Sequence, residues 1–455
     1  MYSFVALNTM VFFMKNILVI GAGLSSSYLI KYLLEQANIF NWQITVADSN
    51  IEAAENKIAN QKNAKAIKLN ATDNEQVEQL VSANDLIISL LPAFMHINVA
   101  RNCVSLKKHL ITASYVSPEM QSLHNNAINN DVLLLNECGL DPGIDHLSAM
   151  KIIDEVKAKG GSIDVFKSFC GGLVAPEFDD NPWNYKFTWN PRNVVVAGQS
   201  TAQYLEQNEL KFIPPQRIFT QTEEIQIENQ GSFECYANRD SLSYIKPYGI
   251  ESAHTVLRGT LRKKGYSKAW NNIVKLGLTD DSFVIHNTQN LTYRELVSAF
   301  TPGNDISKLE QRACDFLNLT QEQDEFKKLV WLGLFDDTKI NIPEGSPAFI
   351  LQQLLQQKWK LQKGELDMIV MYHEIEASYP NKKEKISSSL VVKGENEILT
   401  AMSKTVGLPM AIAAKHLMLG DIKLRGVVIP TMPELYNPIL NELAEYGISF
   451  EEKCY

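Results

Sequence analysis

Short apolar runs alternate with amphipathic segments over the first third of the chain. Each run is rich in Ile, Leu and Val, which is typical of strands buried on both faces of a parallel sheet. The runs cover 17–20, 44–47, 66–69, 86–91, 110–112 and 132–135. Because helical patterns separate them, we predict an α/β fold whose first domain is a doubly wound parallel sheet of the Rossmann type.

The pattern changes beyond Gly143. Alternating runs predict strands of a mixed or antiparallel sheet, without nucleotide-binding signals, and this part is interpreted as a substrate domain. Its predicted strands cover 162–170, 223–228, 368–377 and 385–392.

Helical patterns dominate between the strands of the substrate domain. They cover 293–300, 306–317 and 321–334, and they predict a helical subdomain that closes over a site. Two further predicted helices, 408–419 and 433–446, are expected to return to the first domain.

The predicted organisation is therefore discontinuous. A dinucleotide-binding domain takes 14–140 plus 395–455, a mixed α/β substrate domain takes 141–264 plus 345–394, and the helical subdomain takes 265–344.

Residues 1–13 are apolar but lack a basic n-region and run directly into the first predicted strand, so they are not interpreted as a signal peptide. Met14 is the expected start. Elsewhere no run of eighteen apolar residues occurs, and no membrane span is predicted.

Composition narrows the class of partner. The 455 residues are 45% hydrophobic and carry a net charge of -9, from 43 basic and 52 acidic residues without a sustained Lys/Arg cluster. This argues against a nucleic-acid partner. Six scattered cysteines without a Cys-x-x-Cys pair suggest neither a disulfide framework nor a zinc site, so a cytoplasmic location is expected.

The first predicted strand ends in a glycine-rich turn that carries most of the dinucleotide fingerprint. Gly21 permits a tight turn, Gly23 lets a pyrophosphate approach the backbone, and Ser26 takes the place of the third glycine. Asp48 follows the second strand, where a carboxylate accepts hydrogen bonds from ribose hydroxyls and repels a 2'-phosphate. NAD is therefore favoured and NADP is left open. Alternatively, Asp48 caps the next helix.

The segment that leaves the last predicted strand is the strongest candidate for chemistry. It reads Gly139-Leu-Asp-Pro-Gly-Ile-Asp-His146, an acidic, sharply bent turn at the edge where ligands of such sheets bind. Asp141 is the leading candidate. The structural alternative makes Asp141 or Asp145 the cap of the following helix.

Several segments in order resemble the saccharopine dehydrogenases of the L-glutamate-forming type. They are Ile88-Ser-Leu-Leu-Pro92, Ala113-Ser-Tyr-Val-Ser-Pro118, the 139–146 turn, Cys170-Gly-Gly-Leu173, Asn181-Pro-Trp-Asn-Tyr-Lys-Phe187, Tyr236-Ala-Asn-Arg-Asp-Ser241, Arg258-Gly-Thr-Leu-Arg262 and Thr405-Val-Gly-Leu-Pro409. The resemblance covers the chain after Met14. It implies oxidation of the secondary amine of saccharopine to an imine with a nicotinamide cofactor, and hydrolysis to glutamate and α-aminoadipate semialdehyde.

The resemblance also implies the residues of the site. Proton handling falls to Tyr115, Asp141 and Cys170, the last before a predicted glycine turn. Substrate binding falls to Ser114, Tyr115, Asp141, Arg239, Thr260 and Arg262, because Arg suits carboxylates. Cofactor binding falls to Gly21, Gly23, Leu24, Ser25, Asp48, Asn70, Ala71, Leu91, Ala113, Ser114, Leu140 and Trp189.

Alternatives stay open at this point. His146 or Lys151 could act as acid or base, and each arginine could form a structural ion pair. His373 with Glu374 and Glu376 imitates metal-ligand spacing, but strand alternation separates the first two, so no metal is predicted. A carboxynorspermidine-type dehydrogenase, a non-catalytic nucleotide-binding sensor and a homodimer are also kept as alternatives.

Overall fold

The structure is a computed structural model that describes residues 14–455, so the expectations for 1–13 lie outside the described residues. The described chain contains the strands β1 Lys15–Ile20, β2 Trp42–Asp48, β3 Ala64–Lys68, β4 Leu86–Ser89, β5 His109–Thr112, β6 Leu133–Leu135, β7 Ser162–Val174, β8 Ala202–Glu206, β9 Glu209–Ile213, β10 Thr222–Ile227, β11 Gly231–Ala237, β12 Thr255–Arg262, β13 Ile285–His286, β14 Glu344–Gly345, β15 Asp367–Tyr379, β16 Lys382–Lys393, β17 Gly426–Val428 and β18 Glu451–Cys454.

The α-helices alternate with these strands in the first part of the chain and cluster in its later parts. They are α1 Ser27–Phe40, α2 Ile51–Ile58, α3 Asn74–Ser82, α4 His96–Ser105, α5 Pro118–Ser122, α6 His124–Asn129, α7 Ile144–Ala158, α8 Pro191–Val195, α9 Ile245–Tyr248, α10 Tyr266–Lys275, α11 Tyr293–Phe300, α12 Leu309–Leu317, α13 Asp324–Leu332, α14 Pro347–Lys358, α15 Ala401–Leu419 and α16 Pro433–Glu445.

The chain divides into two compact units. The first comprises the described residues up to Leu147 together with Ser403–Tyr446, and the second comprises Ser148–Met402 and Gly447–Tyr455.

The first unit is built on a seven-stranded sheet in the order β17-β6-β5-β4-β1-β2-β3, with every neighbouring pair parallel. β4 is buried along its length and β1 is buried from Ile17 onward, as expected for strands that are covered on both faces. Without β17 and taken from the other edge, this order is β3-β2-β1-β4-β5-β6, which is the doubly wound arrangement. It confirms the predicted fold class. The carboxyl ends of β1, β4 and β5 therefore lie side by side.

The helices that follow β2 and β3 begin where the sequence supplies a cap. The side chain of Asn50 accepts from the N–H groups of Glu52 and Ala53 before α2, and Asp73 does the same for Glu75 and Gln76 before α3. Such caps satisfy N–H groups that a helix leaves unpaired, and they fix where each helix starts.

The second unit contains a nine-stranded mixed sheet. Its main order is β10-β11-β12-β7-β15-β16-β18, with β8 paired to β12 and β9 paired to β8. β7 and β12 run parallel, whereas the pairs β7–β15 and β15–β16 are antiparallel. This confirms the prediction of a second, mixed α/β part.

The region 265–344 is helical, but it does not stand apart from the sheet. Trp270 of α10, Leu296 of α11 and Leu329 of α13 belong to one buried apolar cluster with Phe233 and Leu261 of the sheet. The predicted third body is therefore part of the second unit, because its apolar helix faces complete the core of that sheet.

The end of the chain also differs from the predicted division, which gave 395–455 to the first domain. Within that stretch, 395–402 and 447–455 belong to the second unit, and only 403–446 belongs to the first. β18 pairs antiparallel with β16, from Ile386–Cys454 to Ser389–Glu451. The exposed, charged composition of β18 hides this pairing from a hydrophobicity pattern, because an edge strand depends on backbone bonds. Among the helices described, none is both long enough and apolar enough to cross a lipid bilayer.

Candidate active site

The glycine turn after β1 presents open backbone. Gly21 has φ +108° and donates its N–H to Ala47 O at 2.8 Å, and a Cβ there would lie 3.2 Å from Leu90 Cβ. A Cβ on the exposed Gly23 would meet no atom within 4 Å, so nothing in the protein fills the space above this residue. Leu24 and Ser25 follow in a short 3-10 turn that leads into α1. This cradle fits the pyrophosphate of a dinucleotide.

Asp48 holds this turn in shape. One carboxylate oxygen accepts the N–H of Ala22 at 2.6 Å, and the other accepts the N–H of Asn50 at 2.8 Å. The side chain therefore ties the loop after β2 to the glycine turn. Since both oxygens already accept backbone bonds, the position of Asp48 is explained without a ribose.

A basic group also reaches the start of α1. Lys57 of α2 donates from Nζ to Ser27 Oγ at 2.6 Å. Burial lowers the pKa of Lys57 to about 8, although the charge of nearby Asp48 opposes this effect. The sequence pattern gave no signal for Lys57, because its neighbours come from other elements.

The loop after β3 carries the next two predicted cofactor residues. Asn70 Oδ1 accepts from the N–H of Thr72 at 3.2 Å and from its hydroxyl at 2.8 Å, and Ala71 lies between them. Asn70 is exposed and Ala71 is half-buried. Both are accessible from the carboxyl edge of the first sheet.

A buried histidine joins the ends of β4 and β5. His96 Nδ1 lies 2.9 Å from Ser89 Oγ, and its Nε2 lies 2.8 Å from Ser114 Oγ and 3.2 Å from Thr112 Oγ1. Burial lowers the pKa of His96 to about 4, so the ring is neutral at neutral pH. His96 thus fixes the Ser114 hydroxyl. The half-buried Leu91 and Ala113 flank the same strand ends.

Tyr115 lies on a turn that is fixed on both sides. The N–H of Glu137 donates to Ser114 O at 3.1 Å, and Glu137 Oε1 accepts from the N–H of Val116 at 3.0 Å. Glu137 Oε2 lies 2.9 Å from Nε2 of His146, whose side chain is fully buried. This contact makes His146 part of the fixed turn, and the acid/base part considered from sequence stays a prediction.

The turn that carries Asp141 distinguishes the two aspartates in the motif. Asp145 Oδ1 accepts the N–H of Gly143, which makes Asp145 the buried carboxylate of the turn. A Cβ on Gly143, at φ +148°, would collide with the backbone of Gly139, so only glycine fits there. Asp141 is half-buried and precedes a cis proline bond, and the neighbouring Leu140 is buried. Asp141 is the more accessible of the two carboxylates.

Three of the predicted site residues, the proton-transfer candidate Cys170 and the substrate-binding candidates Thr260 and Arg262, share one face of the second sheet. Cys170 on β7 lies directly beside Thr260 on β12, and Thr260 lies opposite Tyr236 on β11. Side chains in register point to the same face, and Arg262 follows two residues after Thr260 on that face.

Gly171 and Gly172 lie inside β7, so the predicted turn after Cys170 is wrong. A Cβ on Gly171 would lie 2.7 Å from Leu261 O. Glycine serves close packing of two strands here, not a bend.

Arg262 is a buried cation held among aromatic rings. It is 4% exposed, and its guanidinium carbon lies 5.1 Å from the Tyr185 ring, 5.3 Å from the Tyr266 ring and 5.8 Å from the Tyr236 ring. Burial raises the pKa values of all three phenols, so the rings are neutral and attract the cation through their faces.

Arg262 has no carboxylate counterion within 4 Å among the residues that the structure describes. Its cross-strand neighbour is Glu234, but that carboxylate accepts the N–H groups of Gly265 and Ser267 at the start of α10. One Arg262 nitrogen donates to Leu261 O at 2.9 Å, whereas Nε is buried without a hydrogen-bond partner. An arginine in this state can receive an anion.

The other candidates lie in different surroundings. Arg239 is exposed at φ +48° in the loop after β11. Trp189 donates from Nε1 to Tyr185 OH at 3.3 Å, which associates it with the Arg262 cluster. Lys151 is a half-exposed member of surface ion pairs with Glu155 and Glu452.

His373 and Glu374 do lie on opposite faces of β15. His373 is buried, whereas Glu374 pairs with Lys385 at 2.8 Å on the neighbouring strand. Within 14–455 no group of three metal-ligating side chains converges.

A doubly wound parallel sheet with an open glycine turn at its carboxyl edge is the architecture of a nicotinamide-dinucleotide-binding domain. Residues 17–135 match the family model described as the saccharopine dehydrogenase NADP binding domain, and residues 139–448 match the saccharopine dehydrogenase C-terminal domain. The chain belongs to the saccharopine dehydrogenase family.

Individual relatives agree over nearly the whole chain. Saccharopine dehydrogenase [NADP(+), L-glutamate-forming] of Saccharomyces cerevisiae is 34% identical over 446 residues, which are 96% of this chain and 99% of the relative. The mitochondrial alpha-aminoadipic semialdehyde synthase of Bos taurus is 37% identical over 96% of this chain and 47% of its own length. The solved apo structure of the yeast L-Glu-forming enzyme superposes with a TM-score of 0.86 at 32% identity, covering 97% of this chain and 100% of that one.

The preference for NAD expected from Asp48 is wrong. The model matching 17–135 is described as NADP binding, and the yeast relative is named for NADP(+). The physical reason is that Asp48 is not the only charged group here, because the cationic Lys57 interacts with it and offsets its repulsion of a 2'-phosphate.

Proposed function

We propose that this protein uses NADP to oxidise saccharopine, releasing L-glutamate and α-aminoadipate semialdehyde, and that it catalyses the reverse reductive condensation. The membership in the saccharopine dehydrogenase family and the full-length similarity to an L-glutamate-forming enzyme support this reaction class. The observation that carries the proposal is Arg262, a buried guanidinium without a carboxylate counterion among the described residues.

Saccharopine carries three carboxylates, and Arg262 is suited to one of them. A guanidinium donates two parallel hydrogen bonds to a carboxylate, and the low-polarity surroundings of Tyr185, Tyr236 and Tyr266 strengthen that pair. The Thr260 hydroxyl lies on the same strand face and adds a donor. Arg239, which is exposed, is proposed for a second carboxylate.

The first unit supplies cofactor binding and proton transfer in this proposal. A bound nicotinamide would accept a hydride from the carbon that bears the secondary amine. The backbone of Gly21 and Gly23 with the start of α1 holds the pyrophosphate, and Lys57 supplies positive charge toward the 2'-phosphate. Leu91, Ala113 and Ser114 at the ends of β4 and β5 line the remainder of this edge.

Oxidation turns the amine into an imine, and two electrons leave with the hydride. Asp141 and Tyr115 are proposed to remove the amine proton and to direct a water molecule to the imine carbon. The adduct then takes a proton on nitrogen and gives its hydroxyl proton to the carboxylate of Asp141 as the carbon–nitrogen bond breaks, which releases the amine of glutamate and the aldehyde. Cys170, which lies beside Thr260 on the second sheet, is proposed to assist proton transfer on the substrate.

The decisive experiment is steady-state oxidation of saccharopine with NADP and with NAD at equal concentrations, followed as reduced cofactor. We expect turnover that prefers NADP. Turnover that prefers NAD would contradict the cofactor proposal alone, whereas absence of turnover with either cofactor would contradict the reaction. A cytoplasmic location and a homodimer stay predictions.

A further inference from the structure

Glu137 connects the two segments that carry the proposed proton-transfer residues. It is 6% exposed, and it comes four residues before Asp141 on the segment that leaves β6. Its backbone N–H donates to Ser114 O, and its carboxylate accepts from the N–H of Val116. Glu137 therefore binds both neighbours of Tyr115, one with its main chain and the other with its side chain.

The second carboxylate oxygen extends the connection to α7. Glu137 Oε2 lies 2.9 Å from the ring atom His146 Nε2. The backbone N–H of His146 donates to Gly143 O at 2.9 Å within the Asp141 turn. A single buried side chain thus joins the turn of Tyr115 to the turn of Asp141. Buried carboxylates need such partners, because an unpaired one is costly.

The backbone of Glu137 is also unusual. Its φ is +55°, in the left-handed region, where a residue with a Cβ is strained and glycine is not. A glycine would adopt this conformation more easily but would lack the carboxylate that binds Val116 and His146. The side chain contributes contacts that the turn by itself does not have.

We propose that Glu137 is a positioning residue that holds Tyr115 and Asp141 in the arrangement required for proton transfer. This inference rests on the proposed function, since it assigns Glu137 a part in that reaction. Removal of the carboxylate takes away the acceptor of the Val116 N–H and the contact with His146 Nε2, so the two turns lose this link. Cofactor binding is spared, because the glycine turn after β1 is held by Asp48 instead.

The test compares wild type with Glu137→Ala, Glu137→Gln and the exposed control Glu119→Gln, which lies on α5 of the same unit. The measurements are kcat and KM for saccharopine, the Kd for NADPH, and the unfolding temperature. We expect Glu137→Ala to lower kcat at least about tenfold while the NADPH Kd stays within about twofold. Glu137→Gln retains an oxygen acceptor for Val116, so it restores most of kcat, and the control equals wild type.

Two outcomes would overturn the inference while the proposed function stands. One is a folded Glu137→Ala variant with wild-type kcat, and the other is a loss in which kcat, NADPH affinity and unfolding temperature fall together without rescue by Gln. If the Ala variant does not fold, Glu137→Asp serves instead, because its shorter side chain cannot hold Val116 and His146 at once. Wild type without saccharopine turnover would instead overturn the proposed function.

Discussion

The glycine turn of the first unit and the arginine cluster of the second are proposed to bind ligands, and they differ in what they offer to a ligand. Around Gly21 and Gly23 the protein offers backbone and empty space, and Asp48 fixes the shape of the loop. Around Arg262 it offers a charge surrounded by neutral aromatic rings. The first region depends on glycines, which have no side chain and leave the backbone open. The second region depends on which side chains the fold brings together.

This difference teaches how each region should respond to substitution. A site made of backbone tolerates changes in its surroundings but not a new Cβ where the ligand approaches. A site made of one buried cation depends on that cation, because the surrounding rings cannot replace its charge.

The largest effect is expected from Arg262→Met. Loss of a buried charged hydrogen-bonding partner should reduce kcat/KM for saccharopine by roughly a hundredfold, equivalent to about 3 kcal/mol. The NADPH Kd should change little, and stability should be largely retained because Met fills a similar volume and a buried charge without a carboxylate counterion is removed. Steady-state kinetics and a cofactor titration measure both quantities.

The matched control for that substitution is Arg217→Met, which changes an exposed arginine of the same unit. The contrast between the two regions fails if both variants behave alike. It also fails if Arg262→Met weakens NADPH binding as much as it lowers kcat/KM for saccharopine.

Gly23→Ala is expected to have the next largest effect, at least about tenfold on the NADPH Kd. The backbone of Gly23 has φ -70°, which any residue adopts, and its Cβ would face open space. The unfolding temperature should therefore equal that of wild type. A cofactor titration with wild-type affinity would show that the pyrophosphate does not approach this turn.

The third prediction concerns pH and His96, which joins the ends of β4 and β5 in the first unit. The pKa of His96 is about 4 in the folded protein and near 6.5 unfolded, so as pH falls below 6.5 the unfolded chain binds the proton first. Stability present at pH 7 should therefore decrease by about 1–2 kcal/mol by roughly pH 5 through this residue.

His96→Gln should flatten that acid dependence, and chemical denaturation from pH 7 to 5 measures it. The exposed His286→Gln variant is the control. An unchanged acid slope in His96→Gln would mean that the buried ring does not govern the stability of this edge.

The smallest effect is expected from Lys57→Met, about fivefold weaker NADP binding with NAD binding unchanged. Since the pKa of Lys57 is about 8, its charge is lost as pH rises through 8, and wild-type NADP affinity should decline there while the variant stays flat. Lys62→Met, at an exposed position of the same unit, is the control. An equal loss of affinity for NADP and for NAD would show that Lys57 does not recognise the 2'-phosphate.

The sequence predicted the first region better than the second, for a physical reason. Parallel strands with covered faces are continuous apolar runs, and the turn between Gly21 and Ser26 is local, so both are visible in a short window. The run 86–91 was only slightly too long, since β4 ends at Ser89.

The surroundings of Arg262 could not be predicted in the same way. Tyr185, Tyr236 and Tyr266 come from three distant segments, and β12 was missed because Arg258 and Arg262 interrupt its apolar pattern although both are buried. The contacts of Glu137 and His96 were missed for the same reason. Even the preference for NAD, which rested on a local motif, failed, because the motif does not show that Lys57 of α2 interacts with Asp48.

The most direct test of the account is the stoichiometry of a single reaction, with glutamate and reduced cofactor quantified as wild-type protein oxidises saccharopine with NADP. We expect one glutamate to form for each NADPH, with α-aminoadipate semialdehyde as the other product. NADPH formation without glutamate, or an absence of NADPH formation with this substrate, would contradict the account.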